Sequence, residues 1–414
     1  MEININNRYV CRVCGSKNVK SFLNLANMPL TDDFVSKETL GKEFQSDINI
    51  YVCLNCMVVQ TQHDVDVGDY YEDYQYSVGN SKFAATFMSN LANSVVENYF
   101  NKNEKLRVLE IGSGDGEQLV SFKELGCDVI GYEPSSYLVN LAISKGIPTI
   151  QGLFGQDSID RLPEDFQKVD IVLMSYTFDH IPEPIALLES VNKILDDQKG
   201  LLVIEVHDLE KIFDRSEFCL FEHEHSIYLT RLTAQSLLNR QGFSIINFDI
   251  LPEESRRANS LLFVATKQHS LFAPLKLDAI TNSVFDNFGF YENQANVINS
   301  RLKNLETFLD VRYEKNRRVA GYGAGGRGVM TLAAMNNANK LKYLVDKKPK
   351  ANSLFTPKSH VPVFGINKLK DDPVDDILVF SFGYMKEIQE ELSAFGYSSD
   401  QFYSMIDVLT GKVD

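Results

Sequence analysis

A chain of 414 residues that is 44% hydrophobic and 23% charged has apolar side chains for more than one core, which excludes disorder and makes two or three domains the expectation. Its formal charge of −15 disfavours a surface that grips a phosphate backbone, so nucleic acid is not an expected partner. No stretch approaches the roughly 20 apolar residues of a membrane span, and Met1–Arg8 is polar rather than charged-then-apolar; a cytoplasmic protein without a membrane partner, a monomer or weak dimer, is expected.

The first segment, residues 1–75, has short apolar stretches between turn residues and looks too small for a full core of its own. It holds Cys11 and Cys14, then Cys53 and Cys56, each pair two residues apart, with Gly15 placed to let the first loop turn. That gap lets two thiolates of one knuckle reach the same ion, and four thiolates close a tetrahedral zinc site with no open position. The expected role is structural: Zn2+ holds the segment folded. Cys127 and Cys219 have no such partners and read as ordinary buried residues. A tyrosine-rich run, Tyr70, Tyr71, Tyr74 and Tyr76, leads out of the segment, and a phenol there is placed to close over a cleft.

Residues 76–275 change texture to strands alternating with helical patterns. Arg107–Ile111, Val129–Tyr132, Val169–Ser175 and Gly200–Val206 read as buried strands, and the alternation predicts a parallel, doubly wound α/β sheet. Ser244–Ile250 and Ser260–Thr266 follow closely and predict an antiparallel pair at the sheet edge. After the first strand comes Glu110, Ile111, Gly112, Ser113, Gly114, Asp115 and Gly116, whose glycines allow a tight turn and close approach to a ligand. Glu133 ends the next strand, where an acid accepts hydrogen bonds from ribose hydroxyls. An acid at Glu110 suits a ligand with a cationic amino-acid moiety better than a dinucleotide. S-adenosylmethionine (SAM) is therefore expected over NAD, with Leu153 and Phe154 flanking the adenine and Ser175 to Asp179 facing the methyl-donor end.

Glu222, His223, Glu224 and His225 follow the fifth strand, on the edge where open α/β sheets place their sites. A histidine beside a carboxylate is tuned as a base near neutral pH, with Glu224 orienting His225. Carbon methylation needs a carbanion equivalent, most easily made α to a ketone. In that scheme His225 removes the proton while Tyr76 or His180 donates to the enolate oxygen. Methylation of oxygen or nitrogen, or a noncatalytic sensor of SAM or a nucleotide, stays open on these residues alone.

The third segment, residues 276–414, starts with spaced apolar positions over 280–315 that predict one or two connecting helices. Arg318–Tyr322 then reads as a strand, Gly323, Gly325 and Gly326 as a turn, and Val329–Met335 as a helix. Leu341–Asp346 and Asp376–Phe382 add strands of a second, smaller Rossmann-like α/β domain.

Taken together, the CxxC doublet, Tyr76 with Ser77, Glu110–Gly116, Glu133 with Pro134 and Ser135, His223–His225, the run from Tyr322 to Gly328 and Ser359–Val363 make the chain resemble the three-domain nucleotide-sugar C-methyltransferases over nearly its whole length. The resemblance implies methylation at C3 of a nucleoside-diphosphate 4-keto-6-deoxysugar in branched deoxysugar biosynthesis. It implies His225 as base, Glu224, Tyr76 and His180 as further active-site residues, Glu222 and His223 against the substrate, and Gly323 and Arg327 toward the nucleotide. The chain departs from the pattern at Glu222, where tyrosine is common, at Glu254 to Ala258, which replace a glycine-glycine-serine stretch, and at Arg327, which replaces a lysine.

Overall fold

The computed structural model describes residues 3–65, 82–101, 104–257, 259–276, 284–347 and 353–413. In the first segment β1 (Ile5–Asn7), β2 (Val19–Met28), β3 (Ser46–Cys53), β4 (Val59–Thr61) and β5 (His63–Val65) pair antiparallel, β1 with β5 and β3 with both β2 and β4. Strand β3 shows the reason: Ile48, Ile50 and Val52 are buried while the residues between them are not, the period-2 pattern of a sheet with one covered face.

The middle segment begins with helix α1 (Lys82–Tyr99), whose Phe87, Leu91, Ala92 and Val95 form one buried stripe. There follow β6 (Arg107–Ile111), α2 (Glu117–Glu124), β7 (Asp128–Glu133), α3 (Ser136–Ser144), β8 (Thr149–Gln151), β9 (Ile171–Ser175), α4 (Pro184–Ile194), β10 (Leu201–Val206), α5 (Leu209–Arg215), β11 (Ile227–Tyr228), α6 (Arg231–Arg240), β12 (Phe243–Asn247) and β13 (Leu261–Lys267). Seven of these strands make one sheet in the order β12-β13-β10-β9-β6-β7-β8. It is parallel from β10 to β8, and β13 runs antiparallel to both β10 and β12, so the predicted antiparallel pair forms with β12 alone at the edge. Strand order reverses between β6 and β9, and the crevice beyond their carboxyl ends is where such sheets bind ligands.

A single helix, α7 (Phe288–Glu314), forms the connection, burying Tyr291, Ala295, Ile298, Leu305, Phe308 and Leu309. The third segment folds as β14 (Val319–Tyr322), α8 (Gly326–Ala334), β15 (Leu344–Asp346), β16 (Val363–Gly365), β17 (Asp376–Val379), α9 (Met385–Ser393) and β18 (Phe402–Ser404). Its sheet is parallel in the order β16-β15-β14-β17-β18, a second doubly wound arrangement whose glycine turn follows the central strand.

Strand β11 does not belong to the seven-stranded sheet. Ile227 pairs with Gln60 and Tyr228 with Val59, so the middle segment adds a strand to the first segment's meander, in the order β11-β4-β3-β2. The expected position of His223–His225 just past the fifth strand is corrected accordingly: α5 and a further turn intervene, and the run is delivered to the cleft from the first segment's sheet. One apolar core runs through all three segments, joining Leu23 and Ile50, Phe213 and Phe221, Tyr291 and Ile298, and Met330 and Leu344.

Arg12, inside the first cysteine knuckle, fastens the same junction. Its buried guanidinium donates to the carbonyls of Thr61 (3.1 Å), His63 (3.0 Å) and Pro182 (3.1 Å) and pairs with Asp64. Removing one partner of a buried charge pair leaves the other uncompensated, so Arg12→Ala should lower unfolding stability by about 3 kcal/mol in denaturant titrations. Nearby, His63 Nε2 donates to His223 Nδ1 at 2.8 Å, and His223 Nε2 donates to the Met28 carbonyl at 2.9 Å. Burial pushes both imidazoles down to about 4. With an unfolded value near 6.5, the unfolded chain binds more protons between those limits; stability should therefore fall as pH drops from about 6.5 to 4, by on the order of 3 kcal/mol per histidine, read by thermal melts across that window.

Candidate active site

The four cysteines meet. Cys11 Sγ lies 3.5 Å from Cys56 Sγ and Cys14 Sγ 3.5 Å from Cys53 Sγ, and all four sulfurs fall within 4.8 Å of one another. Tetrahedral thiolate ligation at about 2.3 Å requires sulfur separations of roughly 3.8 Å, so the donor set fits zinc. Both knuckles turn the same way: Gly15 and Met57, each one residue past the second cysteine, are left-handed, and their N–H groups donate to the carbonyls of Cys11 and Cys53.

Beyond β6, Gly112 has φ +72°, and a Cβ there would stand 2.3 Å from Thr177 Oγ1. The loop thus lies flat against the turn after β9 and leaves open space over Gly114. Glu133 accepts from the N–H of Gly114 (2.9 Å) through one carboxylate oxygen and of Ser135 (2.8 Å) through the other, each oxygen keeping a lone pair for a ribose hydroxyl. Glu110 is fully buried, and its Oε2 has no hydrogen-bond partner among the described residues. Burial pushes its carboxyl well up, with the Arg257 guanidinium opposing. An orphaned acid behind an open glycine cradle and a ribose-type carboxylate fit SAM. Leu153 and Phe154 line the same space, the latter edge-on to Tyr132, and Ser175 donates to Glu205 at 2.6 Å. Gly116 is the exception. It lies off the cavity at the start of α2, where a Cβ would stand 3.0 Å from Ala142 Cβ, so it serves helix packing rather than the ligand.

His225 Nδ1 donates to the Leu220 carbonyl at 2.7 Å, which leaves Nε2 as the basic nitrogen, 3.9 Å from Glu222 Oε2. Burial holds this imidazole well below its ordinary value, and His180 and His207 beside it push it lower. His180 packs edge-on against His225 with ring centroids 4.5 Å apart. Two predictions for this run do not hold. His223 has both nitrogens engaged by His63 and Met28 and faces away from the cleft, because the run is a turn rather than a strand. Glu224 is buried without lining the cavity, and the Leu220 carbonyl orients His225 in its place. Tyr76, with the tyrosine run around it, lies outside the described residues.

His207 was missed, and Asp179 was read only as part of the stretch facing the methyl donor, not as its partner. His207 Nδ1 donates to Asp179 Oδ2 at 2.7 Å, and the Asp179 carbonyl accepts from Ser226 N, so one residue anchors both His207 and the turn carrying His225. The signal was present in the positions of Asp179, next to His180, and of His207, the first residue past the fifth strand. On the opposite wall Gly323 and Arg327 line the cavity; Arg327 Nε lies 3.4 Å from buried Glu217 Oε2, and Glu222 Oε1 sits against Gly326. Burial, with Glu224 adding to it, pushes the Glu222 carboxyl well up. Both glycine turns and the histidines surround a single cavity of about 1740 Å3, larger than one small ligand needs and sufficient for a cofactor with a second molecule.

Comparison with known proteins matches these parts in order. Residues 11–71 match the family model described as "Putative zinc binding domain", 84–248 a methyltransferase domain, and 277–406 a C-methyltransferase C-terminal domain. The chain belongs to the three-domain C-methyltransferases. It is 22% identical to the C-methyltransferase NovU of Streptomyces niveus over 399 residues, 95% of this chain and 94% of that one. Among solved structures it is similar over 45% of its length to 84% of the plantazolicin methyltransferase BpumL in complex with SAH (18% identity, TM-score 0.36). It is also similar over 49% to 96% of the CcbJ methyltransferase of Streptomyces caelestis (14%, 0.34).

This C-methyltransferase uses SAM and carries structural zinc. Metal analysis should return one zinc per chain, and Cys56→Ser should lose it together with the folded first segment, read by proteolysis. Gly112→Ala combines a left-handed backbone, worth roughly 1–2 kcal/mol, with the Thr177 clash; SAM affinity by calorimetry should fall by about tenfold or more.

Proposed function

We propose that this C-methyltransferase acts at C3 of a nucleoside-diphosphate 4-keto-6-deoxysugar. Residues 1–75 form the zinc-binding domain in this reading, 76–275 the methyltransferase domain, and 276–414 the helical connection with a substrate-binding domain. One observation carries it: the basic nitrogen of His225 opens into a cavity shared by the SAM-type glycine loop and a second glycine loop with a cation, Arg327. The first supports a methyl donor, the second a diphosphate.

When bound, SAM supplies an electrophilic methyl group on its sulfonium. Glu133 holds the ribose, Leu153 and Phe154 flank the adenine, and Glu110 and Ser175 lie toward the amino-acid portion. His225 Nε2 takes the C3 proton, acidified by the neighbouring ketone; the C–H electrons form the enolate, which would accept the methyl group as its bond to sulfur breaks and the sulfonium leaves as a neutral thioether. In this reading His180 and Tyr76 donate to the enolate oxygen. Glu222, kept neutral by burial, faces the sugar where a phenol is common. Gly323 and Arg327 take the diphosphate.

The test is product NMR after incubation with SAM and a panel of dTDP-, GDP- and CDP-linked 4-keto-6-deoxysugars. A new methyl group on C3 with loss of the C3 proton supports the reading; a methyl group on oxygen or nitrogen, or no turnover across the panel, rejects it. His225→Asn should lower the methylation rate by about 10²-fold or more while leaving SAM affinity intact. Because burial depresses His225, the acid limb of kcat/KM should lie below pH 6.5, the ordinary histidine value.

A further inference from the structure

The proton taken by His225 needs somewhere to go. Its Nδ1 is occupied by the Leu220 carbonyl, and the ring is 3% exposed. The groups facing it are His180, Glu222, His207 and Asp179, with Tyr228 edge-on to its ring at 6.0 Å. Burial keeps His180 and Glu222 neutral, so neither balances an imidazolium. Asp179 is different. Burial pushes its carboxyl up, yet the His207 hydrogen bond, foremost among the opposing causes, holds it below the usual carboxylate range.

We infer that Asp179 and His207 form a proton relay behind His225: His207 receives the proton from His225 and Asp179 supplies the balancing negative charge. The inference rests on the C-methylation reading. A nitrogen of each imidazole and an oxygen of Asp179 lie within 4.8 Å of one another, and the two rings stand 4.8 Å apart at 41°. The tautomer suits the role, because His207 Nδ1 already donates to Asp179 and also sits under a backbone N–H of its own bonded to the same oxygen at 3.2 Å; Nε2 is the accepting nitrogen. Atoms balance without a co-reactant: the proton leaves His225 Nε2, directly or through one water, and bonds to His207 Nε2, restoring His225. The His207 side chain is 13% exposed, against 3% for His225, and lines the same cavity, so it stands nearer to solvent along the route out. Tyr176 packs on the other side of His207 at 4.6 Å, with Arg257 over the phenol ring, completing the charged and titratable groups around the pair. Both His207 and Asp179 are positioning residues, since they act through His225.

The full-length zinc-loaded protein serves for the test. With an acceptor from the ketosugar panel, His207→Ala should lower kcat by on the order of 10² with KM and SAM affinity little changed, and added imidazole should restore turnover through the vacated space. Asp179→Asn provides a second variant. In histidine-labelled protein, NMR should show the Nδ1–H tautomer at His207, and Asp179→Asn, whose amide can donate as well as accept, should disturb it. A His207→Ala enzyme that keeps wild-type kcat, or folds and is not rescued by imidazole, overturns the relay. So does a His207 tautomer indifferent to Asp179→Asn, or a second metal equivalent per chain lost with His207→Ala, which would make the trio a ligand set. Failure of the wild type to methylate any ketosugar sinks the preceding section instead, and the NMR arm still decides whether Asp179 holds His207 as a base.

Discussion

The two-residue strand Ile227–Tyr228, added to the zinc segment's sheet beside Val59 and Gln60, is the constraint on which the cleft depends. It pulls the turn from Glu222 to Ser226 out of the methyltransferase sheet and presents His225 to the crevice at the end of β9. The Thr61 hydroxyl donates to the His225 carbonyl at 2.6 Å, and Ser226 N donates to the Asp179 carbonyl at 2.7 Å, so the catalytic turn is clamped from both segments. Arg12 closes the same joint from the cysteine knuckle. Zinc is therefore more than a local staple: the ion that folds Cys11–Cys14 also holds Arg12 against Pro182, two residues past His180.

Burial then decides the charges in the cleft. Desolvation pushes His180 and His225 down and Glu110 and Glu222 up, in each case disfavouring the charged form. Asp179 stays ionised because His207 and its own polarised surroundings repay that cost. In the proposed reading this division serves carbanion chemistry, with His225 as an uncharged base and Asp179 as a nearby carboxylate to receive the charge. The SAM side is arranged separately by backbone: left-handed glycines flatten the loop, and Glu133 organises it by accepting from Gly114 and Ser135.

The zinc ligands, the parallel sheet and the glycine turn after its first strand were legible in the chain, because each depends on contacts close in sequence or on a period that the pattern displays directly. Gly116 was misread since a third glycine in such a turn serves packing or ligand equally well, and only Ala142 tells which. His223 and Glu224 were misread since nearness to His225 in sequence does not fix which way the residues of a turn face. Asp179 and His207, 28 positions apart, become a pair only through adjacency of β9 and β10.

By itself the sequence determined the kinds of chemistry available: four thiolates at knuckle spacing, a glycine turn after a strand, imidazoles beside carboxylates. These follow from local geometry, which short-range sterics and ligand spacing dictate. Only the tertiary structure decided which imidazole nitrogen is free, which carboxylate is charged, and that both glycine turns open on one cavity. Those outcomes depend on hydrogen bonds and desolvation between residues as distant as Met28 and His223, and no local pattern encodes what lies across a packed interface.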